Sequence, residues 1–314
     1  MIDKPGPFPR IMHWNFRGQS VFTLMLLLTL SACRQSVVPL PAPTLPRVVP
    51  SAPSSTTAPV TEPQPTVINL AQVPYALAWV SDIEPLAVRQ PAGITSMAVA
   101  SLASDQRGLT ITGKTTLMGS STWVEINLPE GGKGWIRDWN LTEDVPSSTF
   151  CEDIRIADLA NQFIVAIRER DGGKLSELVS PKRGLIIRHD WWNPEVNLAY
   201  SSVPGFFLDP TPINWGVNRD SELEIDGTIR EVILPQLEDV FSIAPELNCN
   251  KLGAGSTARD AMWPSDYSNL NYISFYRAAP DPGSQLNWRT WALGIEYLEG
   301  QPYLTLLIQY RGEI

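Results

Sequence analysis

The hydrophobic pattern changes character several times along the chain. Val21 to Leu30 is almost continuously apolar and carries no charge. From Arg34 to about Thr66 apolar residues follow no period and are interrupted by Pro39, Pro41, Pro43, Pro46, Pro50, Pro53, Pro59, Pro63 and Pro65, so no core can form there. Between about Val73 and Asp144, short alternating or β-branched runs are split by glycines, the pattern of a small all-β domain. Past Cys151 the period becomes helical: Ile156, Leu159, Ala160, Phe163 and Ile167 share one face, and the spacing predicts a helix stopped by Gly172-Gly173. Leu175, Leu178 and Val179 predict a second, short helix ended by Pro181, and Gly184 to Arg188 reads as a strand. Thr228-Ile229-Arg230-Glu231 has the form of a capping box, predicting a helix that runs to Val240 with a bend at Pro235. Tyr272 to Arg277, Trp291 to Leu298 and Leu304 to Tyr310 read as strands, the last two joined by Glu299-Gly300-Gln301. Helices followed by antiparallel strands predict an α+β domain over residues 150–314.

The apolar run at the N-terminus ends in Leu30-Ser31-Ala32-Cys33, preceded by Lys4, Arg10 and Arg17. A run of ten residues is about half of what a spanning helix needs. The segment resembles the signal peptide and lipobox of bacterial lipoproteins, which implies cleavage before Cys33 and acylation, palmitate included, of that residue. Residues 1–33 then leave a lipid-tethered chain on the extracytoplasmic face of a membrane. In a host with two membranes the outer one is expected, because Arg34 stands where an inner-membrane retention signal carries Asp. Residues 34–70 form a Pro/Ser/Thr-rich linker, whose prolines favour extended polyproline II at about 3.1 Å per residue.

Within 73–146, Leu86-Ala87-Val88-Arg89, Gly108-Leu109-Thr110-Ile111, Thr122-Trp123-Val124-Glu125-Ile126, Gly132-Lys133-Gly134-Trp135-Ile136 and Leu141 follow one another as in bacterial SH3-like domains. The resemblance implies a small β-barrel in which the Trp123 and Trp135 strands pair across a Gly-rich hairpin. Ala87 and Gln90 depart from the family's usual Asn and small residue. Such modules include binders of cell-wall peptides, and Trp139, just past the Trp135 strand, is the candidate contact on an exposed groove. Residues 150–314 are similar to the C-terminal domain of a group of uncharacterised secreted bacterial lipoproteins, through Leu178 to Leu185, Trp215-Gly216, Gly227-Thr228 and Asn287-Trp288-Arg289. That group's His-Asp and Trp near the last strand are replaced here by Gln309-Tyr310-Arg311. The layout suggests helices packed on a curved antiparallel sheet.

Charge narrows the functional classes. The chain carries −9, and removing residues 1–33, of net charge +2, leaves −11. So acidic a chain, with scattered Lys and Arg, offers no stripe for neutralising phosphates, and nucleic acid is excluded as a partner. The expected partners are the membrane through the lipid, peptidoglycan or another envelope protein. Cys151 and Cys249, the cysteines left beside Cys33, are expected to pair in an oxidising compartment.

His189 is the single imidazole once His13 is removed, too few for a catalytic zinc site, so neither metal nor cofactor is expected. Arg188-His189-Asp190-Trp191-Trp192 is the densest group of reactive and aromatic types. On a strand, Asp190 would point away from His189 and could not orient its ring, which leaves a surface His beside aromatics that cap the sheet. Trp191, Trp192, Trp215, Trp263, Trp288 and Trp291, with Arg188, Arg277 and Arg289, are either core or the wall of a pocket for a sugar or peptide fragment. The enzymatic alternative is a cell-wall endopeptidase using Cys151 and His189. Phe150-Cys151-Glu152-Asp153 argues against it: small residues are lacking and the acids oppose a thiolate. Binding or scaffolding without catalysis is the function expected.

Overall fold

The computed structural model describes residues 73–219, 221–255, 261–281 and 286–312. The lipobox with Cys33 and the linker 34–70 lie outside the described residues. Strands predominate, with a few helices confined to two stretches of the chain.

The N-terminal stretch contributes β1 (Tyr75–Leu77), β2 (Leu86–Gln90), β3 (Met97–Leu102), β4 (Thr110–Met118), β5 (Ser121–Asn127), β6 (Lys133–Arg137) and β7 (Leu141–Glu143). A sheet of order β3-β2-β6-β5-β4 is joined by an antiparallel β1-β7 pair. The Trp123 and Trp135 strands pair as the resemblance implies, with Trp123 opposite Arg137 and Glu125 opposite Trp135. The sheet does not close on itself: β3 and β4 are both edges, so a closed barrel is not what forms. Leu77, Val88, Leu109, Val124, Ile126, Ile136 and Leu141 fill its core. Gly134 is required there, since a Cβ at that position would meet Val88 Cγ1 at 2.5 Å.

After Pro146 come α1 (Ser147–Glu152), α2 (Ile154–Glu169) and α3 (Gly172–Leu178). The Asp153 side chain caps α2 by accepting from Arg155 N at 3.0 Å, and the face Ile156, Leu159, Ala160, Phe163, Ala166 and Ile167 is buried. Arg170, in the left-handed region at φ 52°, ends α2. Gly172-Gly173 opens α3 instead of stopping the helix before it, and Gly172 is needed because a Cβ would lie 2.1 Å from Pro204 O. Then follow β8 (Leu185–Arg188), β9 (Val196–Leu198), β10 (Ile213–Val217), β11 (Glu224–Gly227), α4 (Ile229–Val232), α5 (Leu234–Phe241) and β12 (Glu246–Cys249). The capping box forms as predicted, but the helix breaks at Ile233, two residues before the bend expected at Pro235, which sits harmlessly in the first turn of α5.

The chain closes with β13 (Asn271–Arg277), β14 (Arg289–Leu298) and β15 (Gln301–Arg311). They form the centre of a six-stranded sheet of order β12-β13-β14-β15-β8-β9. Its pairs are antiparallel except β15 with β8, a departure from the wholly antiparallel sheet expected. Glu299 and Gly300, both in the left-handed region, make a two-residue turn between β14 and β15. One face of the sheet packs Phe275, Trp291, Leu293 and Leu307 against α2 and α5. The other buries Ile186, Tyr272, Leu306, Ile308 and Tyr310, with Trp79 and Trp139 laid against them. Burial of both faces explains the near-continuous apolar runs of β14 and β15.

Candidate functional site

The turn after β6 sets the geometry at Trp139. Arg137, the last residue of β6, is exposed and lies over the ring of its cross-strand partner Trp123, 6.0 Å from its centroid. A 3-10 turn, Asp138–Asn140, then swings Trp139 sideways toward the six-stranded sheet. Its ring lies 6.1 Å from that of Trp79, and the guanidinium of Arg183 stands 4.1 Å from the Trp79 centroid and 5.4 Å from that of Trp139. Arg183 donates to Trp139 O and Leu141 O and pairs with Glu296, neither charged side chain being exposed. Trp139 is therefore half-buried and joins two parts of the chain, where an aromatic free on an open groove was expected.

What Trp139 does line is a cleft of ≈ 460 Å³ shared with Ser120, Ser121, Thr122, Arg137, Asp138 and Lys182. A second cleft of ≈ 280 Å³ adjoins Arg137 from the other side, with Trp79, Glu84, Arg89, Ile94 and Trp123 among its walls. Lys182 Nζ sits 3.0 Å from Asp138 Oδ1 and from Leu141 O. Burial, helped by the neighbouring Arg183, pushes this ammonium down to about 8, with Asp138 opposing. The two clefts thus offer cations, hydroxyls, carboxylates and indole edges within one region. Sequence reasoning missed Arg137, although strand alternation opposite Trp123 marks it. It also missed Lys182, which arrives from a distant segment and carries no local signal.

The remaining candidates divide. Trp215, Trp288 and Trp291 are fully buried, and Trp215 Nε1 donates to Gly227 O at 2.9 Å, so these are core. Trp263 stacks on Tyr272 at 4.1 Å. Trp191 and Trp192 meet edge to face and border a recess of ≈ 370 Å³ with Val217, Asn218, Arg219 and Glu222, Arg219 lying 5.3 Å from the Trp192 ring. Arg188 turns to the aromatic face of the sheet, 5.2 Å from the Tyr267 ring, and pairs with Glu195 at 3.2 Å. Arg277 is buried and pairs with Asp239 of α5 at 2.8 Å.

His189 is buried, not on the surface, and Asp190 reaches it: Nδ1 lies 3.2 Å from Asp190 Oδ2, at ion-pair distance but off hydrogen-bond alignment. Strand alternation fails here because β8 ends at Arg188 and the chain bends. On the other side of the ring, His189 Nε2 is 3.3 Å from Gln236 Nε2. Arg289, which can only donate, holds Gln236 Oε1, and Gln309 Nε2 donates to the same oxygen at 2.9 Å. The amide nitrogen of Gln236 is thereby fixed toward His189, whose Nε2 must accept. The position a Ser or Cys nucleophile would need is taken by this amide. Cys151 and Cys249 form the expected disulfide, joining α1 to β12, so the sulfur of the peptidase alternative is not a free thiol.

Among the described residues no group of three or more His, Cys, Asp or Glu could hold a metal, and no helix is long and apolar enough to cross a membrane. Comparisons with protein-family models, curated proteins and solved structures find no match to this chain.

Proposed function

We propose that this chain is a lipid-anchored protein of the bacterial cell envelope that acts by binding. In this reading Cys33 carries the anchor, the five-stranded sheet is an SH3-like module, residues 150–314 are an α+β domain, and the module holds wall peptides in the clefts on either side of Arg137. The observation that carries the reading is the shared position of Arg137, exposed between two polar clefts with Trp123 behind it. Wall stem peptides bear carboxylates and amines, which suit Arg137, Arg89 and Lys182 on one hand and Glu84 and Asp138 on the other.

The test is co-sedimentation of the full-length protein with purified peptidoglycan. Arg137→Ala, at an exposed position, is expected to leave the melting temperature nearly unchanged and to weaken binding by about 5- to 30-fold, the loss of one charge-assisted contact. Binding unchanged in Arg137→Ala removes the clefts from the reading. The anchor is tested separately: Cys33→Ala should shift the protein out of the membrane fraction, and an unchanged fraction and mature mass would sink the lipoprotein assignment.

A further inference from the structure

Three arginines stand directly opposite one another across three adjacent strands. Arg277 of β13 pairs in register with Arg289 of β14, and Arg289 with Arg311 of β15. Residues opposite one another in an antiparallel sheet point to the same face, and this face is the one packed against α5, since Asp239 and Gln236 of that helix reach the rung. Like charges in such a row repel, and each neighbouring pair costs a fold its stability unless something neutralises it.

Among the described residues, only part of this repulsion is neutralised. Asp239 Oδ2 serves both Arg277, at 2.8 Å, and Arg289, at 3.0 Å. Asp190 lies 3.1 Å from Arg311 and shares the same oxygen with His189. Among the described residues, three guanidinium groups thus face two carboxylates. Arg289 uses Nε on Asp239 and one terminal nitrogen on Gln236, while among the described residues Arg311 makes one ion-pair contact, through a terminal nitrogen. Arg277 Nε is buried without an acceptor among the described residues. The side chains of Arg289 and Arg311 remain 31% and 22% exposed, so solvent reaches the end of the sheet where they stand. Burial holds the Arg289 guanidinium below its ordinary value; Asp239 opposes that, and Arg277 and Arg311 add to it.

We infer that the Arg277–Arg289–Arg311 rung is a binding site for a small oxyanion, a carboxylate or a phosphate, with Arg289 and Arg311 as its donors. An oxyanion between them supplies the third negative charge and accepts from forked donors whose geometry matches carboxylate and phosphate. The site is separate from the clefts at Arg137, and it does not depend on the wall-binding reading.

Thermal unfolding of the full-length protein, in chloride, inorganic phosphate and succinate at matched ionic strength and neutral pH, tests it. An anion present at about five times its Kd should raise Tm by about 2–4 °C over chloride, and Arg289→Gln and Arg311→Gln should each abolish that rise. Because each variant is compared with itself in chloride, any structural cost of the substitution cancels. Should Arg289→Gln fail to fold, Arg311→Lys, which keeps the charge but loses the fork, should reduce the rise. A rise with phosphate alone or succinate alone assigns the class. No rise with either anion in the millimolar range, or a rise that persists in the Arg311 and Arg289 variants, overturns the site.

Discussion

Arg183 and Glu296 pair with neither side chain exposed, and the same guanidinium lies over Trp79 and donates to the backbone of Trp139 and Leu141. A single side chain two residues ahead of β8 therefore holds together the 3-10 turn after β6, the segment before β2 and the C-terminal part of β14. Burial pushes the guanidinium down to about 9, so it is charged at neutral pH. Asn269 reinforces the contact by donating to Leu77 O at 3.0 Å and Ser104 O at 3.1 Å.

Removing one partner of such a pair leaves a buried charge without compensation. Arg183→Met should destabilise the protein by about 3–5 kcal/mol in urea unfolding, and Arg183→Met with Glu296→Met should recover part of that loss. A single-variant cost under about 1 kcal/mol would contradict the assigned role.

Lys182 gives a pH dependence of definite sign. Its folded value is about 8 against an ordinary 10.5, so between these limits the unfolded chain binds more protons and stability rises with pH. Relative to Lys182→Met, the wild type should gain up to about 3 kcal/mol from pH 8 to pH 10.5, measured by urea unfolding across that range. The comparison must be made between the two proteins at each pH, because Tyr267 and Tyr310, held above their ordinary values by burial, lower stability in both as the pH passes 10. A flat difference between wild type and variant would mean that the ammonium is not desolvated.

The disulfide closes a separation of 98 residues between Cys151 and Cys249. In the chain-entropy model a loop of that size contributes about 4–5 kcal/mol, so Cys151→Ser with Cys249→Ser should lower the unfolding free energy by about 2–5 kcal/mol. Mass spectrometry of the unreduced protein should find the two cysteines linked; alkylation of both without reductant would remove the bridge and return Cys151 to consideration as a nucleophile.

His189 offers a spectroscopic check on the interior network. With Gln236 Oε1 taken by Arg289 and Gln309, the neutral ring must carry its proton on Nδ1. Nitrogen-15 NMR, with the signal assigned by its loss in His189→Gln, should show the Nδ1–H tautomer, and Gln236→Glu should alter it by replacing the amide donor with an acceptor. The opposite tautomer in the wild type would mean that the Gln236 amide is turned over.

Features set by neighbours within a few residues were legible in the sequence. The apolar stripe of α2, the capping box at Thr228, the turn at Glu299-Gly300 and the three closing strands each follow from short-range periodicity or cap chemistry. The pairing of Cys151 with Cys249 followed from redox setting and count. β3 escaped notice because Met97–Leu102, mostly exposed along a sheet edge, shows no alternation of polar and apolar residues. The parallel β15-β8 pair, the burial of Trp139 under Arg183 and the row of Arg277, Arg289 and Arg311 depend on register or on contacts between distant segments, whereas Asp190 approaches its neighbour His189 because the chain bends where β8 ends. A single-residue change of register would send any one of the three arginines to the opposite face of the sheet, and nothing local to the residue encodes that choice.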